Sequence, residues 1–167
     1  MESFPGLQKL WLQECAGLTA LPAGLETLTG RQKLGLDGCS GLTALSAGLG
    51  ALAGLQKLYL DGCSRLTALP DVLETLTGRQ KMGLQQCRGL KALPDGLETL
   101  TGLQKLGLGE CSGLTALPAG LGALTGLREV GLFNCWALHT PPPRVVRLGR
   151  DDDERASPYL CPPSLKK

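Results

Sequence analysis

The sequence predicts an α/β repeat solenoid, an arc of stacked coils with a parallel β-sheet on its concave face and short 3₁₀, helical or irregular segments on its convex face. Three observations predict it. Gly6, Gly30, Gly54, Gly78, Gly102 and Gly126 recur at a constant interval of 24 residues, and a fixed period between about 20 and 29 is the signature of a solenoid coil. Each unit contains an alternating apolar step, as in Leu10 and Leu12 or Leu58 and Leu60, which is strand periodicity with both side chains on one face. Each unit then carries leucines at spacings of three and four, as at Leu18, Leu21, Leu25 and Leu28. That spacing suits a helical or 3₁₀ return better than a second long strand.

Taken in order, the elements begin inside a motif. Phe4 aligns with Leu28, Leu52 and Leu76, the last leucines of their units, so Met1 to Pro5 reads as the remnant of an earlier coil. Six units follow and define a repeat domain over 1–149, the sixth unit being the most eroded. Pro22, Pro70, Pro94 and Pro118 hold one equivalent position, where a fixed φ favours the start of the return segment. A single coil cannot bury its leucines, so each copy forms a wall of its neighbour, and a fully buried Leu contributes roughly 1.5–3 kcal/mol before ordering entropy is subtracted. Arg31 and Arg79 stand where other units have Leu7, Leu55, Leu103 and Leu127. Since an unpaired buried guanidinium is costly, they are expected at the rim, with the stem on the core and the charge in water. After Pro141–Pro143 the pattern is lost, and 150–167, with the acidic run Asp151 to Glu154 and Cys161, is expected to be a solvated tail.

Composition narrows the function. Seventeen basic and 15 acidic residues leave a net charge of +2, too little for a nucleic-acid footprint. The N-terminal segment lacks the basic flank and apolar run of a signal peptide, and no stretch approaches the length of a membrane span. The expectation is a cytoplasmic protein in a reducing compartment, with no nucleic acid and no membrane as partner. The uncapped first coil adds self-association through the ends as a further expectation.

Six of the seven cysteines, Cys15, Cys39, Cys63, Cys87, Cys111 and Cys135, share one repeat position. In a stack they form a column at strand spacing whose Cβ vectors run alongside one another, the wrong geometry for a disulfide. No C-x₂-C pair offers a zinc site. They are expected to be small buried residues whose thiols meet loop backbone groups.

The residues between the inward leucines project from the concave sheet in three columns. Lys9, Lys33, Lys57, Lys81 and Lys105 form the first, which ends in Glu129. Trp11, Gly35, Tyr59, Gly83, Gly107 and Gly131 form the second, expected to be a smooth floor. The third is Gln13, Asp37, Asp61, Gln85, Gly109 and Phe133. The lysines either attract an acidic partner or form a solvated ladder partly neutralised by Asp37 and Asp61. Trp11, Tyr59 and Phe133 break a uniform motif on a face that sees water, and interaction hot spots favour Trp and Tyr. The candidate partner-binding residues are therefore these lysines and aromatics with Gln13, Asp37, Asp61 and Gln85.

No catalytic constellation is legible. His139 is the one histidine, so a Ser/His/Asp or Cys/His arrangement has a single base with no orienting neighbour. No phosphate-binding loop motif occurs. The sequence predicts no enzyme, no cofactor and no metal site.

The unit "LQKLYLDGCSRLTALPDVLETLTG" from Leu55 to Gly78, read as L-x-x-L-x-L-x-x-C-x-x-L-x-x-L-P, resembles the leucine-rich repeat family. It is similar to the repeats of plant disease-resistance receptors and Ras-associated scaffold proteins. The resemblance implies a non-catalytic protein–protein interaction module of the signalling or scaffold kind. Two alternatives stay open: a substrate-recognition arm of a larger signalling enzyme or immune receptor, and an ice- or surface-binding solenoid built on Thr19, Thr43, Thr67 and Thr115, a column that Lys91 interrupts.

Overall fold

The structure, a computed structural model, describes residues 8–27 and 30–139. Met1 to Pro5, Leu28, Cys161 and the acidic run of the tail lie outside the described residues. Six three-residue strands, β1 (Lys9–Trp11), β2 (Lys33–Gly35), β3 (Lys57–Tyr59), β4 (Lys81–Gly83), β5 (Lys105–Gly107) and β6 (Glu129–Gly131), make one sheet in sequence order. Every pairing is parallel and matches equivalent repeat positions, as in Lys9 to Lys33 and Leu10 to Leu34. The register is set by the repeat itself, because a slip by one residue would turn a lysine into the core and a leucine out of it.

The returns are 3₁₀ segments: Leu25–Thr27, Ala47–Ala51, Asp71–Thr75, Asp95–Thr99 and Ala119–Ala123. Pro70, Pro94 and Pro118 precede the last three at φ −72, −62 and −63°, close to the value the proline ring imposes. Ser46 fills that position before Ala47–Ala51 at φ −71°. Strands contact strands and returns contact returns, so the leucine core lies between two layers.

Beyond each strand the chain turns sharply at one position. Glu14, Gly38, Gly62, Gln86, Glu110 and Asn134 all have positive φ, between 57 and 78°. This is the left-handed region, which costs a non-glycine residue roughly 1–2 kcal/mol. The turn persists in every copy because it aims the following cysteine inward and keeps the amide bonded to the next coil, as in Gly38 N to Asp61 O at 2.7 Å and Gln86 N to Gly109 O at 2.7 Å. A second backbone thread runs along the stack away from the sheet, with Thr43 N donating to Thr19 O at 3.2 Å and His139 N to Thr115 O at 3.1 Å.

The cysteine column is buried from Cys39 to Cys135 and its thiols are free. Each donates to a leucine carbonyl of the preceding coil: Cys39 Sγ to Leu12 O at 2.9 Å, Cys63 to Leu36 at 3.2 Å, Cys87 to Leu60 at 3.2 Å, Cys111 to Leu84 at 3.0 Å and Cys135 to Leu108 at 2.9 Å. Cys15, in the first described coil, is exposed.

The rim expectation for Arg31 and Arg79 is wrong. Their exposures are 3% and 0%. The reason is backbone geometry: Arg79 N bonds Leu76 O just as Leu55 N bonds Leu52 O and Leu103 N bonds Leu100 O. The side chain is thereby committed to the direction that buried leucines take. Nε, Nη1 and Nη2 of Arg79 make no hydrogen bond among the described residues, and burial pushes its pKa down to about 10.

Candidate functional site

The outward face of the sheet gathers most of the unusual side chains. Within a strand, residues two apart share a face, so Lys9 and Trp11 of β1 and Lys57 and Tyr59 of β3 project together while Leu58 is buried. Trp11 and Tyr59 sit on strands separated by β2. Their rings nevertheless stack, with centroids 5.6 Å apart and planes at 29°. Gly35 makes this contact. A Cβ there would overlap Cε3 and Cζ3 of Trp11, so only glycine lets the indole lie flat across the intervening strand. The plate is continued by Lys81, whose Nζ is 5.6 Å from the Tyr59 ring centroid, within the range of a cation–π contact.

Trp11 remains 46% exposed. A large aromatic surface held in place and still open to water is the kind of feature that interaction sites use. Burial, and after it the carboxylates of Asp37 and Asp61, raises the Tyr59 pKa, so its hydroxyl stays protonated at neutral pH.

The smooth-floor expectation for the second column is corrected by these contacts. Trp11 covers Gly35, Asp61 stands close above Gly83, and Gln85 approaches Gly107. Phe133 lies over Gly109 toward the β6 end and takes no part in the Trp11–Tyr59 plate.

Asp37 and Asp61 carry negative charge beside the lysine column, enough to raise the Tyr59 pKa, and they also have a structural role. Asp37 Oδ1 accepts from Asp61 N at 3.1 Å and its Oδ2 from Gln13 Nε2 at 3.1 Å, while Asp61 Oδ1 accepts from Gln85 N at 2.7 Å. Each aspartate thus ties one coil to the next. At the far end of the lysine column, Lys105 Nζ lies 2.7 Å from Glu129 Oε2. A second ion pair, Arg88 to Glu110 at 3.6 Å, lies beyond the strands. Lys9, Lys33, Lys57 and Lys81 take part in neither.

Two features escaped the sequence reading. Gly35 looked like one glycine among many, although aromatics on both flanking coils were the signal that it must be bare. Trp136 is 53% exposed and replaces the alanine, serines and arginine of Ala16, Ser40, Ser64, Arg88 and Ser112, the same kind of break in a column that marked Trp11. Among the described residues no group of three or more His, Cys, Asp or Glu is arranged to hold a metal ion, and no helix is long and apolar enough to cross a membrane.

No family model and no curated protein matches the chain. Among solved structures, a leucine-rich-repeat protein of Leptospira interrogans is similar at 22% identity and a TM-score of 0.40, over 68% of this chain and 39% of that one. The plant peptide hormone receptor RGFR1, in its complex with RGF2, is similar at 19% identity and a TM-score of 0.45, over 71% of this chain and 25% of the receptor. The chain therefore spans well under half the length of either. The repeat length, the in-register parallel sheet and the 3₁₀ returns by themselves make the fold a leucine-rich-repeat solenoid.

Proposed function

We propose that this leucine-rich-repeat solenoid is a non-catalytic protein-interaction module that receives a protein partner on the open face of its sheet. The observation that carries the reading is the Trp11–Tyr59 plate, stacked across Gly35 and left half open to water. Such a plate presents apolar area at little further ordering cost, because both rings are already held. The lysines beside it supply charge that speeds encounter with an acidic surface. The buried free thiols from Cys39 to Cys135 favour an intracellular, reducing setting for the module.

The test is affinity capture from a cell lysate with the wild-type chain and with a Trp11→Ala, Lys57→Ala, Tyr59→Ala variant whose circular dichroism matches wild type. Retention of a specific protein by wild type and its loss from the variant supports the reading. Equal retention by both moves the binding surface elsewhere.

A further inference from the structure

We infer that the sheet face takes an extended, acidic polypeptide segment lying across β1 to β4, with its carboxylates on the lysine column and an apolar side chain on the Trp11–Tyr59 plate. The inference rests on the sheet-face reading above and specifies the chemistry of its partner.

Lys9, Lys33, Lys57 and Lys81 are direct register partners on adjacent strands, about 4.8 Å apart at the backbone. Like charges directly opposite one another on neighbouring strands repel. Asp37 and Asp61 offset part of this charge while Asp37 Oδ1 and Oδ2 and Asp61 Oδ1 accept from the Asp61 amide, Gln13 and the Gln85 amide, and the two ion pairs described above leave these four lysines out. The charge on the face is therefore unequal along the stack. It is net positive over β1 to β4, where Lys9, Lys33, Lys57 and Lys81 outnumber Asp37 and Asp61 and where the plate lies, and is cancelled over β5 and β6 by the contact of Lys105 with Glu129.

Three strand intervals correspond to about 14 Å, the length of four to five extended residues at roughly 3.3 Å each. A segment crossing the strands thus meets Lys9, Lys33, Lys57 and Lys81 within one short acidic stretch, and the long lysine stems absorb the mismatch between strand and peptide spacing. The plate adds apolar area beside the charges, so acidic residues interspersed with an apolar one fit better than a purely acidic run. Nucleic acid would also supply anions, but the neutralised half of the face gives a longer polyanion no continuation.

The experiment follows the emission of Trp11 in a Trp136→Phe background, during titration with blocked hexapeptides of four glutamates and two leucines, or with glutamine or lysine replacing glutamate. The glutamate peptide should bind about tenfold or more tightly than the glutamine peptide at low salt and lose that advantage in molar salt. A Lys33→Gln, Lys57→Gln variant, folded by circular dichroism, should bind the glutamate peptide no better than the glutamine one. Equal binding of glutamate and glutamine peptides overturns the acidic chemistry and leaves the sheet-face reading standing. Tighter binding of the lysine peptide, binding of a thymidine oligonucleotide as strong as that of the glutamate peptide, or no response to any peptide also overturns it. Failure of the sheet-face reading shows separately, as equal lysate capture by wild type and the Trp11, Lys57, Tyr59 variant.

Discussion

The indole of Trp11 stacks on the ring of Tyr59 from two strands away, 5.6 Å between centroids, by passing over Gly35. Neither aromatic explains the contact alone. It exists because the coil between them presents no side chain, and it turns two isolated residues into one surface.

Gly35→Ala therefore separates packing from binding. Its methyl group overlaps the Trp11 ring and not backbone, so the indole must swing away while the sheet remains. The stability change should stay within about 1 kcal/mol, whereas the near-ultraviolet circular dichroism of the stacked pair and the capture of partner should both be lost. Unchanged near-ultraviolet signal with full capture contradicts the role assigned to Gly35.

Arg79 carries a charge into the leucine core with no hydrogen-bond partner among the described residues. Arg79→Leu restores the side chain found in equivalent coils and should stabilise the protein by about 1–4 kcal/mol in urea titrations at neutral pH. Burial lowers its pKa from 12.5 to about 10, so between those values the unfolded state holds the proton and the folded state releases it. The wild type should then regain stability relative to the leucine variant as pH rises past 10.

The thiol column gives the opposite pH dependence. Burial raises the pKa of Cys63 and Cys111 from 9.0 to about 12 and pushes that of Cys87 higher still. Their contribution is fully present below 9.0 and declines as pH climbs toward 12, because the unfolded thiols ionise first. In the Arg79→Leu background this appears as falling stability above pH 9. In a Cys161→Ser background at neutral pH, a thiol reagent should label Cys15 rapidly and the five buried cysteines only on unfolding.

Asp61 and Gln85 show which candidate site residues have structural work. Asp61→Ala leaves the Gln85 amide, bonded at 2.7 Å, without its acceptor and should cost about 1–3 kcal/mol. Asp61→Asn retains an oxygen acceptor and should recover most of that loss in thermal unfolding. If Asn behaves like Ala, the inter-coil bond is not what Asp61 supplies.

The repeat made the scaffold legible from sequence. Leucines two apart marked each strand, Pro70, Pro94 and Pro118 marked the starts of their 3₁₀ returns, and equal spacing of the cysteines foretold a column of free thiols rather than bridges. The site was only partly legible, since contacts between coils depend on which atoms face each other after stacking. The structural role of Asp37 is hidden in the sequence because its amide partner lies a whole coil away at Asp61. The cost of burying a charge places Arg79 at the rim, whereas backbone bonds shared with the leucine-bearing coils direct its Cα–Cβ bond into the core. Trp11 and Tyr59 are separated by two repeat lengths, as are Arg31 and Arg79, so each pair marks alternate coils in the sequence itself.

The central claim, that the partner sits on the sheet face, is tested most directly by site-specific photocrosslinking. A photoreactive phenylalanine analogue is placed at Lys9, exposed on β1 beside Trp11, or at Thr75, exposed on the 3₁₀ segment of the opposite layer. The account predicts that the captured partner crosslinks from Lys9 and not from Thr75. Crosslinking from Thr75 with none from Lys9 would contradict it.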